Sequence, residues 1–290
     1  MPPASSTASK LAALVKLFPG TFVDGVRQRD LFREVEALCL FVGYPRSGHT
    51  LVGSFLDAHP DAVIAHELDV LRFVYARFLR RQIYAMALAN ARAAVSRARR
   101  AGGYSYAVPG QWQGRFRSIK VIGDKHAEST SVRLHDSPWL LNRLPIGPRQ
   151  RLRLVHVIRN PYDNIAAIAR RIREIAPHLL SARRGPLPDA VDYYFTLCKT
   201  VAWVRNERPG DVLDVRHETF VADPRYQLDR LCRFVGLAAS DEYLQACASV
   251  VFESPRRTRM SVEWPPALIH EVADRMRAFP FLEGYTFEQA

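Results

Sequence analysis

The sequence predicts an α/β protein: a three-layer, phosphate-loop-type parallel sheet flanked by helices. Three observations predict it. Leu38–Val42 is a short unbroken apolar run, which suits a strand buried on both faces of a parallel sheet. Gly43 to Thr50 then reads G-x-x-x-x-G-H-T and leads into Leu51, Val52, Phe55 and Leu56, apolar positions at helical spacing. Leu152–Ile158 repeats the layout, with a turn at Arg159-Asn160-Pro161-Tyr162-Asp163 and a helical segment over 164–173. Strand, turn and helix start together aim backbone N–H groups and a helix N-terminus at one anion.

Composition bounds the reading. At 290 residues the chain accommodates one large domain with a small appendage, and the expected division is an N-terminal segment and helix over 1–37 and a single α/β domain over 38–290. A hydrophobic content of 48% with 24% charged residues is ordinary for a globular protein. No apolar run approaches the ~18 to 20 residues that a membrane span needs. Leu11–Phe18 is interrupted by Lys16 and reads as a helix, not as a targeting signal. Cys39, Cys198, Cys232 and Cys247 are scattered, which suits free core thiols in a reducing compartment and not a disulfide framework or a zinc site. The net charge of +12 favours an anionic partner: nucleic acid, an anionic membrane or a phosphate-bearing ligand.

Taken in order, residues 1–10 are rich in Ser, Ala and Pro and are expected to be disordered, and residues 11–37 are expected to be helical. After the loop and its helix, Ala62–Ile64 predicts a second strand that delivers His66 and Glu67 at its end. Residues 68–100 predict one long helix with Leu71, Val74, Tyr75 and Phe78 on one face, ended by Gly102-Gly103. From Val70 through Gly123 there is no acidic residue and there are eleven basic ones, including Arg97, Arg99 and Arg100. That is either a solvated helix face or a surface that admits an anionic acceptor. Residues 103–117 read as an irregular, aromatic-bearing loop suited to acceptor contacts. Ile119–Ile122 predicts a strand ending in Gly123-Asp124-Lys125-His126, at the carboxyl edge where ligands of such sheets gather. Beyond the second junction come an exposed loop over 175–189, a helix over 189–206, a late strand over 211–218, and a helix opened by Asp223-Pro224 and ended by Gly236.

The phosphate loop carries one departure. The lysine that reaches the outer phosphates of a nucleoside triphosphate is replaced by His49, and a cation reappears inside the loop as Arg46. The loop is suited to a phosphate, but not in the manner of a kinase. Taken alone, it is also compatible with an ordinary Pro/Ser/Gly turn.

Pro45-Arg46-Ser47-Gly48-x-Thr50-Leu51, followed by Leu56-Asp57-Ala58-His59-Pro60-Asp61 and Glu67, resembles the sulfotransferases that use 3′-phosphoadenosine 5′-phosphosulfate (PAPS). The similarity is greatest to the branch containing the tyrosylprotein sulfotransferases and many bacterial members. It spans roughly residues 38 to 236 and implies a sulfotransferase-like fold, PAPS as donor, adenosine 3′,5′-bisphosphate (PAP) as product, and no metal. By the same resemblance Arg46, Ser47, Gly48, His49, Thr50 and Leu51 grip the donor's 5′-phosphate, and Arg159 binds its 3′-phosphate. Glu67 stands where the tyrosylprotein branch has its base, and Lys125 and His126 match a catalytic lysine or histidine after a strand, His126 also being the alternative base. Arg46 and Lys125 would stabilise charge on the transferring group. Arg256 and Arg257 match a late basic loop that closes over the 3′-phosphate, and they read equally well as a solvated charge run. At one point the chain departs from the family: Ala167, eight residues after Arg159, stands where a serine usually contacts the 3′-phosphate.

The resemblance implies sulfuryl transfer to a hydroxyl or amine of a small-molecule, carbohydrate, lipid or peptide acceptor. It also implies a cytoplasmic location, because the donor is cytosolic. Nucleic acid is not an expected partner, and peripheral contact with a membrane stays open. The competing readings are a phosphate-loop kinase or nucleotide phosphotransferase, and a non-catalytic basic binding protein on a degenerate nucleotide fold.

Overall fold

A computed structural model describes residues 7–96, 100–101, 104–177 and 184–289. The chain runs α1 (Thr7–Arg27), β1 (Ala37–Val42), α2 (His49–Leu56), β2 (Ala62–Ala65), α3 (Val70–Tyr75) and α4 (Arg80–Ser96). A two-residue antiparallel pair follows, β3 (Arg100–Ala101) with β4 (Tyr104–Ser105), then β5 (Val121–Asp124), α5 (Ala127–Asp136), β6 (Arg151–Ile158), α6 (Pro161–Ala169) and α7 (Ile172–Ile175). The remainder is α8 (Pro186–Glu207), β7 (Val212–Arg216), α9 (His217–Ala222), α10 (Pro224–Val235), α11 (Asp241–Ala248) and α12 (Pro266–Met276).

Five strands form one parallel sheet in the order β2-β5-β1-β6-β7. The central strand explains the three layers. All six residues of β1 are buried, and because side chains alternate across a strand, they feed two separate cores. Leu38, Leu40 and Val42 join a core with Tyr84 and Leu88 of α4, Ile165 of α6 and Leu197 of α8. Ala37, Cys39 and Phe41 join the opposite core with Val52 and Phe55 of α2, Phe220 of α9 and Leu231 of α10. A strand apolar on both faces can rest only between two helical layers. The four cysteines are all buried and free, and burial pushes the Cys39 thiol up to about 12.

The chain leaves β1 toward one edge of the sheet and leaves β6 toward the other, so the strand order reverses between these neighbours. Ligands of open parallel sheets sit at such a reversal, outside the carboxyl ends of the strands. The turns after β1 and β6 are those that carry Arg46 and Arg159.

Several expectations change in detail. The single helix expected over 68–100 is two helices, α3 and α4. Arg77 adopts a left-handed backbone (φ 59), and the Gln82 side chain accepts from the Leu79 N–H at 2.8 Å, satisfying a donor at the start of the new helix. The late strand stops at Arg216, and His217 and Glu218 open α9. The strand expected over 119–122 lies at Val121–Asp124 instead. Residues 1–6, Arg97, Arg99, Gly102-Gly103 and the middle of the expected loop over 175–189 (residues 178–183) lie outside the described residues. Among the described residues no helix is long and apolar enough to cross a membrane.

The late basic loop is pinned to the sheet's helical layer by a buried ion pair. Arg259 (1% exposed) meets Asp163 of α6 (3% exposed) at 2.5 Å, and its backbone N–H also donates to that carboxylate at 2.8 Å. Removing the cation strands a buried carboxylate. Arg259→Ala is therefore expected to lower unfolding stability by about 3 kcal/mol, read as a lowered midpoint in urea titration.

Candidate active site

The turn after β1 is fixed from behind. The Gly43 N–H donates to Ser131 Oγ at 2.8 Å, Tyr44 OH meets His156 Nε2 at 3.0 Å, and Asn164 Nδ2 donates to the Pro45 carbonyl at 2.7 Å. His156 is in turn held through Nδ1 by Asp214 at 2.9 Å. Past these anchors the chain takes two left-handed residues, Arg46 (φ 66) and Gly48 (φ 97), before α2 begins at His49. Arg46 is not a glycine, so the surroundings enforce its conformation, as is common at binding turns. The first N–H groups of α2 have no partner within the helix and carry its positive dipole end.

Gly48 has no room for a side chain. A Cβ built on it would lie 2.4 Å from Nδ1 of His217, at the start of α9. Gly48→Ala must shift both this histidine and a left-handed backbone. The expected result is a weakening of anion binding at the turn by about tenfold or more, measured by calorimetry with adenosine 3′,5′-bisphosphate.

Cations meet the turn from the neighbouring strands. Lys125 follows β5, is 2% exposed, and its Nζ donates to Thr50 Oγ1 at 3.0 Å and to Glu67 Oε1 at 2.8 Å. Burial alone would raise the Glu67 carboxyl, but the Lys125 ammonium overrides it and holds the group down at about 2. Burial, and then Lys125, push the His49 imidazole down to about 3, so the residue at the usual loop-lysine position is neutral. The charge beside the loop therefore comes from Arg46 and Lys125. His126 lines the same cleft, and its buried Nδ1 has no hydrogen-bond partner. Glu128, in the first turn of α5, accepts from Tyr193 OH at 2.5 Å, and burial raises its carboxyl above the ordinary range.

The turn after β6 brings a second guanidinium to the cleft. Asn160 caps α6 by accepting from the Tyr162 N–H at 3.1 Å, while its own N–H donates to Glu218 at 2.7 Å. Arg159 is 8% exposed and lines the cleft. Its hydrogen-bond partners are neutral: the Arg46 carbonyl at 3.3 Å, Thr258 Oγ1 at 2.8 Å and the Arg256 carbonyl. Among the described residues no carboxylate forms an ion pair with it, and its Nε has no partner at all. Burial pushes its acidity in the direction of deprotonation. A buried guanidinium bonded only to neutral groups is suited to pairing with an anion.

One cavity of about 1100 Å³ spans both turns. Arg46, Gly48, His49, Thr50 and Leu51 line it from the first turn, Glu67 and His126 from the sheet edge, and Arg159, Arg256 and Arg257 from the second turn and the late loop. Ser47 lies fully buried behind the turn, its Oγ 3.3 Å from His49 Nδ1, and Lys125 lies behind the wall, bonded to the lining residues Thr50 and Glu67. All the candidate residues read from the sequence therefore fall in or directly behind one cleft. Ala167 lines the wall where a serine was expected, and hydroxyls are present nearby on Thr258 and Ser261.

The sequence reading missed His217, Glu128, Arg170 and Arg171, which also line the cavity. His217 carried a signal, since in Arg216-His217-Glu218 it takes the place of the tyrosine in the Arg-Tyr-Glu strand end that the late strand resembles; its contact with Gly48 is tertiary and carried none. Burial and then Arg159 push the His217 imidazole down to about 3, and its Nδ1 is unpartnered. Among the described residues no cluster of His, Cys, Asp and Glu has the arrangement of a metal site.

Fold and cleft together define an α/β protein with a phosphate-loop turn and a second, separate guanidinium site facing one cavity. Residues 151–241 match the family model of the sulfotransferase family. Among solved structures, the sulfotransferase domain of the Synechococcus PCC 7002 olefin synthase shares 18% identity, covers 84% of this chain and 94% of that one, and superposes with a TM-score of 0.53. The sulfotransferase domain of the curacin biosynthetic pathway shares 16% identity over 84% of this chain and 98% of that one, at a TM-score of 0.55. Sulfotransferase STF9 from Mycobacterium avium shares 13% identity over 95% and 82%, at 0.51. No curated protein matches the chain in sequence. The chain thus matches the model of the sulfotransferase family over 151–241 and shares the fold of sulfotransferase structures over most of its length.

Proposed function

We propose that the protein transfers a sulfuryl group from PAPS to a hydroxyl or amine of a small-molecule, carbohydrate, lipid or peptide acceptor. The observation that carries this reading is the pair of anion holes in one cavity: the turn at Arg46–Leu51 and the counter-ion-free Arg159. A nucleotide with phosphates at both 5′ and 3′ positions needs two such holes, whereas a triphosphate needs one extended loop with its lysine, and here that lysine is the neutral His49.

The residues present fit such a donor. The α2 N-terminus and Thr50 would hold the 5′-phosphate, Arg159 with Arg256 and Arg257 the 3′-phosphate, and the orphaned Arg159 Nε and His217 Nδ1 offer further polar contacts. The bound donor supplies an activated sulfuryl group whose S–O bond to the 5′-phosphate breaks as the acceptor's O–S or N–S bond forms. Glu67 takes the acceptor proton, with His126 as the alternative base. Arg46 and Lys125 stabilise charge on the group in transit and on the departing 5′-phosphate. Glu67 is a weak base while Lys125 holds it at about 2, so its strength rises as Lys125 turns toward the sulfuryl oxygens. Both roles therefore depend on one ammonium.

Calorimetric titration with adenosine 3′,5′-bisphosphate, beside ATP with magnesium, tests the reading. Bisphosphate binding with no comparable affinity for magnesium ATP supports it. A preference for magnesium ATP would turn the assignment toward a phosphotransferase.

A further inference from the structure

The segment that carries Glu67 is held from inside the protein. Glu67 (φ 61) and Asp69 (φ 66) both have left-handed backbones, which non-glycine residues keep only where the surroundings enforce them. Between and after them, three successive N–H groups converge on one carboxylate. Leu68 N–H donates to Asp124 Oδ1 at 3.1 Å, and Asp69 and Val70 N–H donate to Asp124 Oδ2 at 2.8 and 3.2 Å. Successive N–H groups in such a turn form an anion-binding nest. Asp124, with 0% exposure, fills it.

The Asp69 side chain faces elsewhere, in a bidentate pair with Arg133 at 2.6 and 2.5 Å, and the His66 N–H is tied to Asn90 Oδ1 at 2.6 Å. Asp124 is the last residue of β5, and Lys125 follows it, with its N–H donating to the Ala65 carbonyl at 3.1 Å. The same residue thus governs both partners of the 2.8 Å Lys125–Glu67 pair: its backbone places the lysine and its side chain places the glutamate.

We propose that Asp124 is the positioning residue of this site, its carboxylate holding the 67–70 turn so that Glu67 faces Lys125. The assignment of a transfer role to that pair rests on the sulfotransferase reading; the positioning itself does not. Only a carboxylate satisfies the nest. An asparagine would turn an NH2 group toward N–H donors, and an alanine would leave three buried N–H groups unsatisfied.

The test uses the small number of lysines, five in the chain, of which Lys120, Lys125 and Lys199 lie beyond α1. Acetylation by acetic anhydride across a pH series, quantified residue by residue by mass spectrometry, reads each amine separately. Glu67→Gln removes the partner directly and is expected to raise the Lys125 rate about tenfold at a given pH, because losing the paired carboxylate disfavours the charged ammonium. Asp124→Asn is expected to do the same and to move the Lys125 profile to lower pH, with Lys120 and Lys199 unchanged. Asp124→Asn leaving Lys125 at the wild-type rate while Glu67→Gln raises it would overturn the proposal. All three lysines rising together would also overturn it, by showing that Asp124 supports the whole fold.

A second measurement needs no variant. In the wild-type protein the amides of Leu68, Asp69 and Val70 are expected to exchange with deuterium about as slowly as those of β5. Rapid exchange at all three would contradict the nest. Failure of wild-type bisphosphate binding would sink the proposed function and leave both of these results standing.

Discussion

Arg159→Ala is expected to weaken binding of adenosine 3′,5′-bisphosphate by two to three orders of magnitude, while far-ultraviolet circular dichroism and the unfolding midpoint change little. Removing one partner of a desolvated charge pair costs about 2–5 kcal/mol in a complex, because the other charge is left buried. In the free protein the balance differs. Arg159 is already a buried cation bonded to two carbonyls and a hydroxyl, so its removal relieves a desolvation cost at the same time as it breaks those bonds. Binding and stability should therefore separate. The check is paired calorimetry and thermal melting, and a parallel fall in both would assign Arg159 a structural role. Adenosine 5′-monophosphate, which lacks the 3′-phosphate, should bind wild type and variant alike.

Lys125→Met should lower sulfuryl transfer by about 10²–10³-fold, the usual effect of deleting one preorganised donor at a developing charge. Bisphosphate binding should fall by much less, since the product lacks the transferring group. Transfer of ³⁵S label from PAPS to a responsive member of a hydroxyl and amine panel reads the first, and calorimetry the second. Equal losses in both would place Lys125 on the nucleotide and not on the group in transit.

The same variant has a pH signature. Glu67 is depressed from 4.5 to about 2 in the folded wild type, so the pair's contribution to stability is fully present above about 4.5 and is lost as pH falls toward 2. Removing Lys125 abolishes the depression. The wild type's slope of stability against pH between about 4.5 and 2 should therefore be steeper than that of Lys125→Met, as followed by urea unfolding at several pH values.

The turn at Gly43–Thr50 and the junction at Arg159 were legible in the sequence because local chemistry dictates them. An apolar run has to be a buried strand, a glycine at Gly48 permits the left-handed step, and a proline at Pro161 opens a helix. Lys125 was legible by its place after a strand that had to end at the same edge. What escaped depends on tertiary approach. Arg256, Arg257 and Arg259 are alike in sequence, yet two line the cleft and the third is buried on Asp163. The break between α3 and α4 turns on the Gln82 side chain and a left-handed Arg77 in a segment whose apolar spacing reads as continuous helix. The role of Asp124 needs 68–70 folded over it before three N–H groups can converge.

The most direct test of the central claim is a crystal structure of the protein with adenosine 3′,5′-bisphosphate bound. The 5′-phosphate is expected in the turn at Arg46–Leu51, with Lys125 beneath it, and the 3′-phosphate against the Arg159 guanidinium. A nucleotide bound in the reverse sense, or held outside this cleft with Arg159 still bonded only to the carbonyls of Arg46 and Arg256 and the Thr258 hydroxyl, would contradict it.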